Sequence, residues 1–118
     1  MKSDSNVKKV LIDDGVQDSL LKVGHKFENL STVNYKSIEQ ELDYKSSWAV
    51  RVIYNERFGG VIIKQMPGEG NRLHYHPDAD ECWIILDGKY QWQIANEVKI
   101  VKKGDIVTVK ANTWHKIT

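Results

Sequence analysis

Two histidines one residue apart and a carboxylate five positions on are the residues of this chain best suited to chemistry. They lie in the stretch His74-Tyr75-His76-Pro77-Asp78-Ala79-Asp80-Glu81. On a strand, residues i and i+2 project from one face with alpha carbons about 7 Å apart. Both imidazoles can then lean toward one ion at about 2.0–2.2 Å from each nitrogen. Glu81 opens the next β-like run and can close on the same ion from a neighbouring strand, and His115, near the end of the chain, can supply a fourth ligand. Three neutral imidazoles and one carboxylate suit Fe(II), Mn(II), Co(II), Ni(II) or Zn(II), and neither affinity order nor ligand type selects among them. Taken alone, a His-x-His pair is also what ordinary strand alternation produces. No other chemistry competes with it. There is one cysteine, no Gly-x-Ser-x-Gly elbow and no phosphate-cradling glycine loop.

From Ser46 onward, short β-branched and aromatic runs alternate with turn residues. The pattern predicts strands over about 48–54, 60–66, 71–76, 81–86, 89–94, 98–102, 105–109 and 113–117. Asp87-Gly88 between two alternating runs is the strongest hairpin signal. Many short strands at even spacing predict an all-β sandwich or barrel. Before residue 46 the texture is mixed. Val10 to Ile12 reads as a short strand. Val16, Leu20 and Val23 share a helical face that ends at Gly24, and a second short helix is expected from Ser37, with Gln40 completing a capping box and Ile38 and Leu42 on one face. The expected organisation is an N-terminal extension over 1–45, packing on or completing a barrel over 46–118.

Parity places further residues. If His74, His76 and Glu81 face inward, Arg72 and Trp83 share their faces, and Tyr75, Cys82 and Ile84 point away. Arg72 is a candidate anchor for a substrate carboxylate or phosphate, or a solvated rim residue. Trp83 is a candidate pocket wall, or an aromatic that fills the barrel. Cys82 reads as a small buried hydrophobe. Tyr90, Trp92 and Ile94 share one face and Lys89, Gln91 and Gln93 the other, and parity leaves open which is inner. His25 is expected at the surface, and Trp48 and Trp114 in packing.

Composition narrows the function classes. The 118 residues allow one domain, with 41% hydrophobic and 28% charged residues. Lys plus Arg is 17 and Asp plus Glu 16, for a net charge of +1, too little to track a phosphate backbone. No apolar run approaches the roughly 20 residues of a membrane span. The N-terminus lacks an apolar signal region, and a single cysteine suits a reducing compartment. A cytoplasmic protein that binds a small molecule, and neither nucleic acid nor membrane, is expected.

The spacing carries a family resemblance. Gly68, five residues, His74-x-His76, four residues, Glu81, six residues and Gly88 match the first cupin motif at every defined position. Gly104, five residues, Lys110-Ala111-Asn112, two residues and His115 follow the second motif in spacing, with Lys110 where the family has Pro and Asn112 where it has Gly. Asn tolerates positive φ and can hold the turn a Gly would. Over about residues 48–118 the chain therefore resembles small single-domain cupins. The resemblance implies a double-stranded β-helix, or jelly roll, with one divalent transition metal (Fe, Mn, Ni, Co or Zn) held by His74, His76, Glu81 and His115. The family motif runs on past the last histidine, so the closing staves are expected from the N-terminal segment, a partner chain or a longer protein. Cupins of this size resemble dioxygenases, sugar-phosphate isomerases or epimerases, and lyases that cleave dimethylsulfoniopropionate. In those lyases a tyrosine near the metal is the base. Here the residue two after Glu81 is Trp83, which leaves Tyr54, Tyr75 and Tyr90 as candidates. A metal-dependent enzyme on a small polar or anionic metabolite is expected, or alternatively a non-catalytic ligand-binding or sensor cupin with a structural metal. A homodimer is the implied assembly.

Overall fold

Strand formation follows the alternation of β-branched and aromatic residues with turn residues. The computed structural model describes residues 21–22, 26–42, 45–70 and 73–118. Its strands are β1 (Leu21–Lys22), β2 (Trp48–Tyr54), β3 (Gly59–Lys64), β4 (Glu81–Ile84), β5 (Lys89–Ile94), β6 (Glu97–Lys102), β7 (Ile106–Val109) and β8 (His115–Ile117), with one helix among the described residues, α1 (Tyr35–Glu41). The sheets run β1-β2-β3, β4-β7 and β6-β5-β8. The architecture is all-β, as expected, but among the described residues the three sheets are not closed into the expected barrel. The described residues fall into two compact units, one within Gln17–Glu69 and one within Gly70–Thr118.

In the first unit β2 pairs antiparallel with β3, with a register shift between Arg51 and Ile53, and β1 lies parallel to β2. Ile38, Trp48 and Val50 form the buried core, with Phe27, Val33, Leu42, Val52 and Ile62 packed against it. The helix starts earlier than the Ser37 capping box predicts. Asn34 is the N-cap, its side-chain oxygen accepting from the backbone N–H groups of Lys36 and Ser37. Asn is among the best N-cap residues, and Ser37 thereby becomes a capped residue inside the first turn. Leu21–Lys22, expected at the end of a helix, is strand instead, because pairing with Trp48 and Ala49 overrides local propensity. The strand expected at Val10–Ile12, the rest of that helix, His25 and Arg72 lie outside the described residues.

The second unit carries the histidines. Its core is Ile85, Trp92, Val101, Val107, Val109 and Ile117, with Trp83, Tyr90 and Ile94 packed against it. This settles the open parity: Tyr90, Trp92 and Ile94 are the inner face of β5. Asp87-Gly88 does not close a hairpin, because β4 pairs with β7 while β5 pairs with β6 and β8. A two-residue type I′ turn needs positive φ at both positions; Gly88 has it (φ 83) and Asp87 does not. The turn instead passes the chain from one sheet to the other. Cys82 is exposed, contrary to the expectation of burial. It stands on the outer side of β4, opposite Thr108, and its neighbour Ile84, opposite Ile106, is 62% exposed.

Gly70 shows how closely the end of the chain is packed in this unit. A Cβ there would lie 2.3 Å from the Ile117 carbonyl oxygen and 2.8 Å from a Thr118 methyl. The carbonyl is backbone and cannot swing aside. Gly70→Ala is expected to destabilise the protein by about 1–3 kcal/mol, the usual cost of overpacking, read as a lowered urea midpoint with an unchanged m-value.

Candidate metal centre

The site begins with a backbone pairing. His74 and His115 exchange both hydrogen bonds of an antiparallel bridge, His74 N–H to the His115 carbonyl at 3.1 Å and His115 N–H to the His74 carbonyl at 2.8 Å. Directly opposed residues present their side chains on the same face. On its other edge β8 pairs with β5, placing His115 opposite Ile94. His76, two residues beyond His74, completes the cluster. The three ligand nitrogens lie within 4.8 Å of one another, and the residues are 2%, 3% and 1% exposed.

Glu81, the first residue of β4 and opposite Val109, reaches the same point. Its Oε2 is 2.8 Å from His115 Nε2 and 3.4 Å from His76 Nε2. Despite that distance, neither Glu81 Oε2 nor His115 Nε2 has a hydrogen-bond partner, although both are buried. The atoms are close, but an N–H is not aligned between them. Two ligand atoms on one ion behave this way, since bonds of about 2.1 Å separate neighbours by about 3.0 Å in an octahedral site and about 3.4 Å in a tetrahedral one. The tautomer agrees. His115 Nδ1 lies 2.8 Å from the Thr113 carbonyl, so Nδ1–H donates there and Nε2 keeps its lone pair for an ion. The four residues fit a divalent metal.

Residues 61–118 match a family model described as the cupin domain. Residues 61–118 belong to the cupin superfamily. No curated protein and no solved structure matches the chain.

In this cupin the loop before β8 is stitched to the segment before β4. Asp80 Oδ1 accepts from the Ala111 N–H at 2.8 Å, and the Asn112 N–H donates to the His76 carbonyl at 2.8 Å. Asn112 has φ 65, the left-handed conformation for which Asn can replace Gly. Sequence reasoning missed Asp80, whose capping partner lies 31 positions away. Only the surplus of carboxylates in Asp78-Ala79-Asp80-Glu81 hinted at it.

Trp83 is half-buried on the inner side of β4, edge-on to Trp92 at 5.0 Å between centroids. Tyr75 turns the other way from the histidines beside it and packs edge-on to Trp114 at 4.1 Å. Tyr90 is half-buried on the inner face of β5. Burial and the nearby Asp87 carboxylate push its pKa up, so it holds its proton more firmly than a free tyrosine does. Tyr54 belongs to the other unit, where the Arg51 guanidinium lies 3.7 Å over its ring and Asn29 bonds its backbone. Arg51 itself is held by Glu28 at 2.7 Å.

Electrostatics prepare the centre for a cation. Burial alone pushes the Glu81 pKa up, but contact with His115 and the charges of His115, His76 and His74 outweigh it, and the net shift is down. Burial pushes His115 down, but the contact with Glu81, its charge and the Thr113 carbonyl outweigh that, and the net shift is up. Without a metal, the depressed Glu81 contributes stability above its unfolded pKa, lost as pH falls through the folded value. The raised His115 contributes stability below its unfolded pKa, lost as pH rises through the folded value. A metal needs the neutral imidazole and reverses the second dependence. The rise in melting temperature on adding Zn(II) should therefore grow steadily between about pH 6 and about pH 8, measured by calorimetry. Asp80→Ala, which frees the loop before His115 without removing a ligand, should weaken Zn(II) binding roughly tenfold in a competitive chelator titration.

Proposed function

We propose that this cupin is a metal-dependent enzyme acting on a small polar or anionic metabolite, with His74, His76, His115 and Glu81 as the metal ligands. The observation that carries the reading is the buried cluster of three imidazoles whose ligand nitrogens lie within 4.8 Å of one another, with Glu81 Oε2 2.8 Å from His115 Nε2. A divalent ion bound there supplies a Lewis acid or redox centre for a carboxylate, enediol or dioxygen. The chain's own groups do the rest. Glu81 enters as a carboxylate and offsets part of the cation's charge. Trp83 and Trp92 exclude water on the side facing β4 and β5, which strengthens electrostatic interactions within the site. Arg72 is the proposed anchor for the far end of an anionic substrate. Among the tyrosines, Tyr90 is the one held on an inner face of the histidine-bearing unit, and its raised pKa suits a proton donor better than a base.

We extend the proposal to location and assembly. An exposed free thiol at Cys82 favours a reducing, cytoplasmic setting. No helix among the described residues is long and apolar enough to cross a membrane. The opposed, exposed Ile84 and Ile106 favour a homodimer that covers them.

Cobalt titration tests the site. Wild-type protein stripped of metal should develop a visible Co(II) spectrum that saturates at one equivalent and perturbs when small carboxylates or sugar phosphates are added. His74→Ala/His76→Ala should lose the spectrum while keeping its far-ultraviolet circular dichroism. Zinc at a hundredfold excess over its dissociation constant should raise the melting temperature on the order of 10 °C. A saturated cobalt spectrum that no small anion alters would favour the sensor or structural-metal alternative.

A further inference from the structure

One buried polar group, on a ring stacked near His115, is left without a hydrogen-bond partner. Trp92 is fully buried, and its indole Nε1–H has no hydrogen-bond partner. Its position follows from the register. On β5 Trp92 lies two residues from Ile94, the partner of His115 across the ladder, so Trp92 and His115 are diagonal neighbours on the inner face. Their rings are nearly parallel (16°), with centroids 6.4 Å apart. The half-buried Trp83 ring stands edge-on to the indole, with centroids 5.0 Å apart. An indole N–H is a donor only and cannot be satisfied by turning. Buried without an acceptor it costs about 1–3 kcal/mol, and Phe would fill an apolar core position without that cost. An acceptor supplied by a ligand removes the penalty.

We propose that the Trp92 indole N–H is a hydrogen-bond donor to an oxyanion, of the carboxylate class, held beside the His74/His76/His115 cluster. The proposal rests on the metal-centre reading and adds a ligand-recognition residue to it. One oxygen of that ligand would go to the metal held by the cluster, and another would accept from Trp92. A neutral apolar ligand would leave the donor unpaired and bind less well.

The test uses nitrogen-15 indole resonances of the full chain. The four tryptophans, Trp48, Trp83, Trp92 and Trp114, give four indole cross-peaks, and Trp92→Phe identifies one. Acetate added to zinc-loaded protein should move the Trp92 proton downfield, saturably, and leave the exposed Trp114 resonance in place. Acetate added to metal-free protein should not move it. Trp92→Phe, still binding one zinc, should bind acetate roughly tenfold more weakly. If that variant fails to fold, the wild-type titration decides, with Trp48→Phe, Trp83→Phe and Trp114→Phe assigning the other three peaks and leaving that of Trp92 by elimination. Zinc binding with a Trp92 resonance indifferent to acetate overturns this proposal and spares the metal centre. Failure to bind zinc at all overturns both.

Discussion

The reciprocal backbone pairing of His74 with His115 is the constraint on which the site depends. It joins a segment just after the Gly68 turn to the last strand of the chain, and it fixes two imidazoles side by side before any side-chain preference acts. His76 follows from strand alternation, and Glu81 from the start of β4. Two further stitches, Asp80 to the Ala111 N–H and the Asn112 N–H to the His76 carbonyl, keep the loop between β7 and β8 from drifting. The candidate ligands are thus positioned by backbone hydrogen bonds, which are stiffer than the side chains they orient.

The arrangement is costly without a cation. Three imidazoles and a carboxylate are withdrawn from water, and the closest pair among them approaches without an aligned proton. Buried polar atoms left unpaired cost free energy wherever they occur. A fold that collects several at one point carries a local conflict of the kind that marks function. Trp92, whose ring centroid lies 6.4 Å from that of His115, likewise buries an indole N–H without a partner. A metal and an anionic ligand bound there would together satisfy Glu81 Oε2, His115 Nε2 and the Trp92 N–H.

Much of this was legible in the sequence, and the limits are physical. The His-x-His spacing, Glu81, His115 and the glycine positions around them identify a cupin, because a ligand set and its turns impose strict distances along the chain. The left-handed turn at Asn112 could be anticipated from its place in the motif. Strand existence was legible from period-two alternation, as in β2 and β5, which begin and end where expected. Strand partnership was not. Asp87-Gly88 looks like a hairpin turn, and only the sheet context shows that it links different sheets. Cys82 looks like a core residue by type, and its exposure reflects what lies outside β4. Trp92 was placed on a face, but which face is inner depends on pairing with β8. The start of α1 at Asn34 turned on two competing caps three residues apart.

X-ray absorption at the metal edge of the zinc-reconstituted protein tests the central claim most directly. The account predicts a first shell of nitrogen and oxygen only, at about 2.0–2.2 Å, with the outer-shell scattering of three imidazole rings, reduced to two in His115→Ala. A shell containing sulfur, or one whose imidazole scattering is unchanged in that variant, would contradict it.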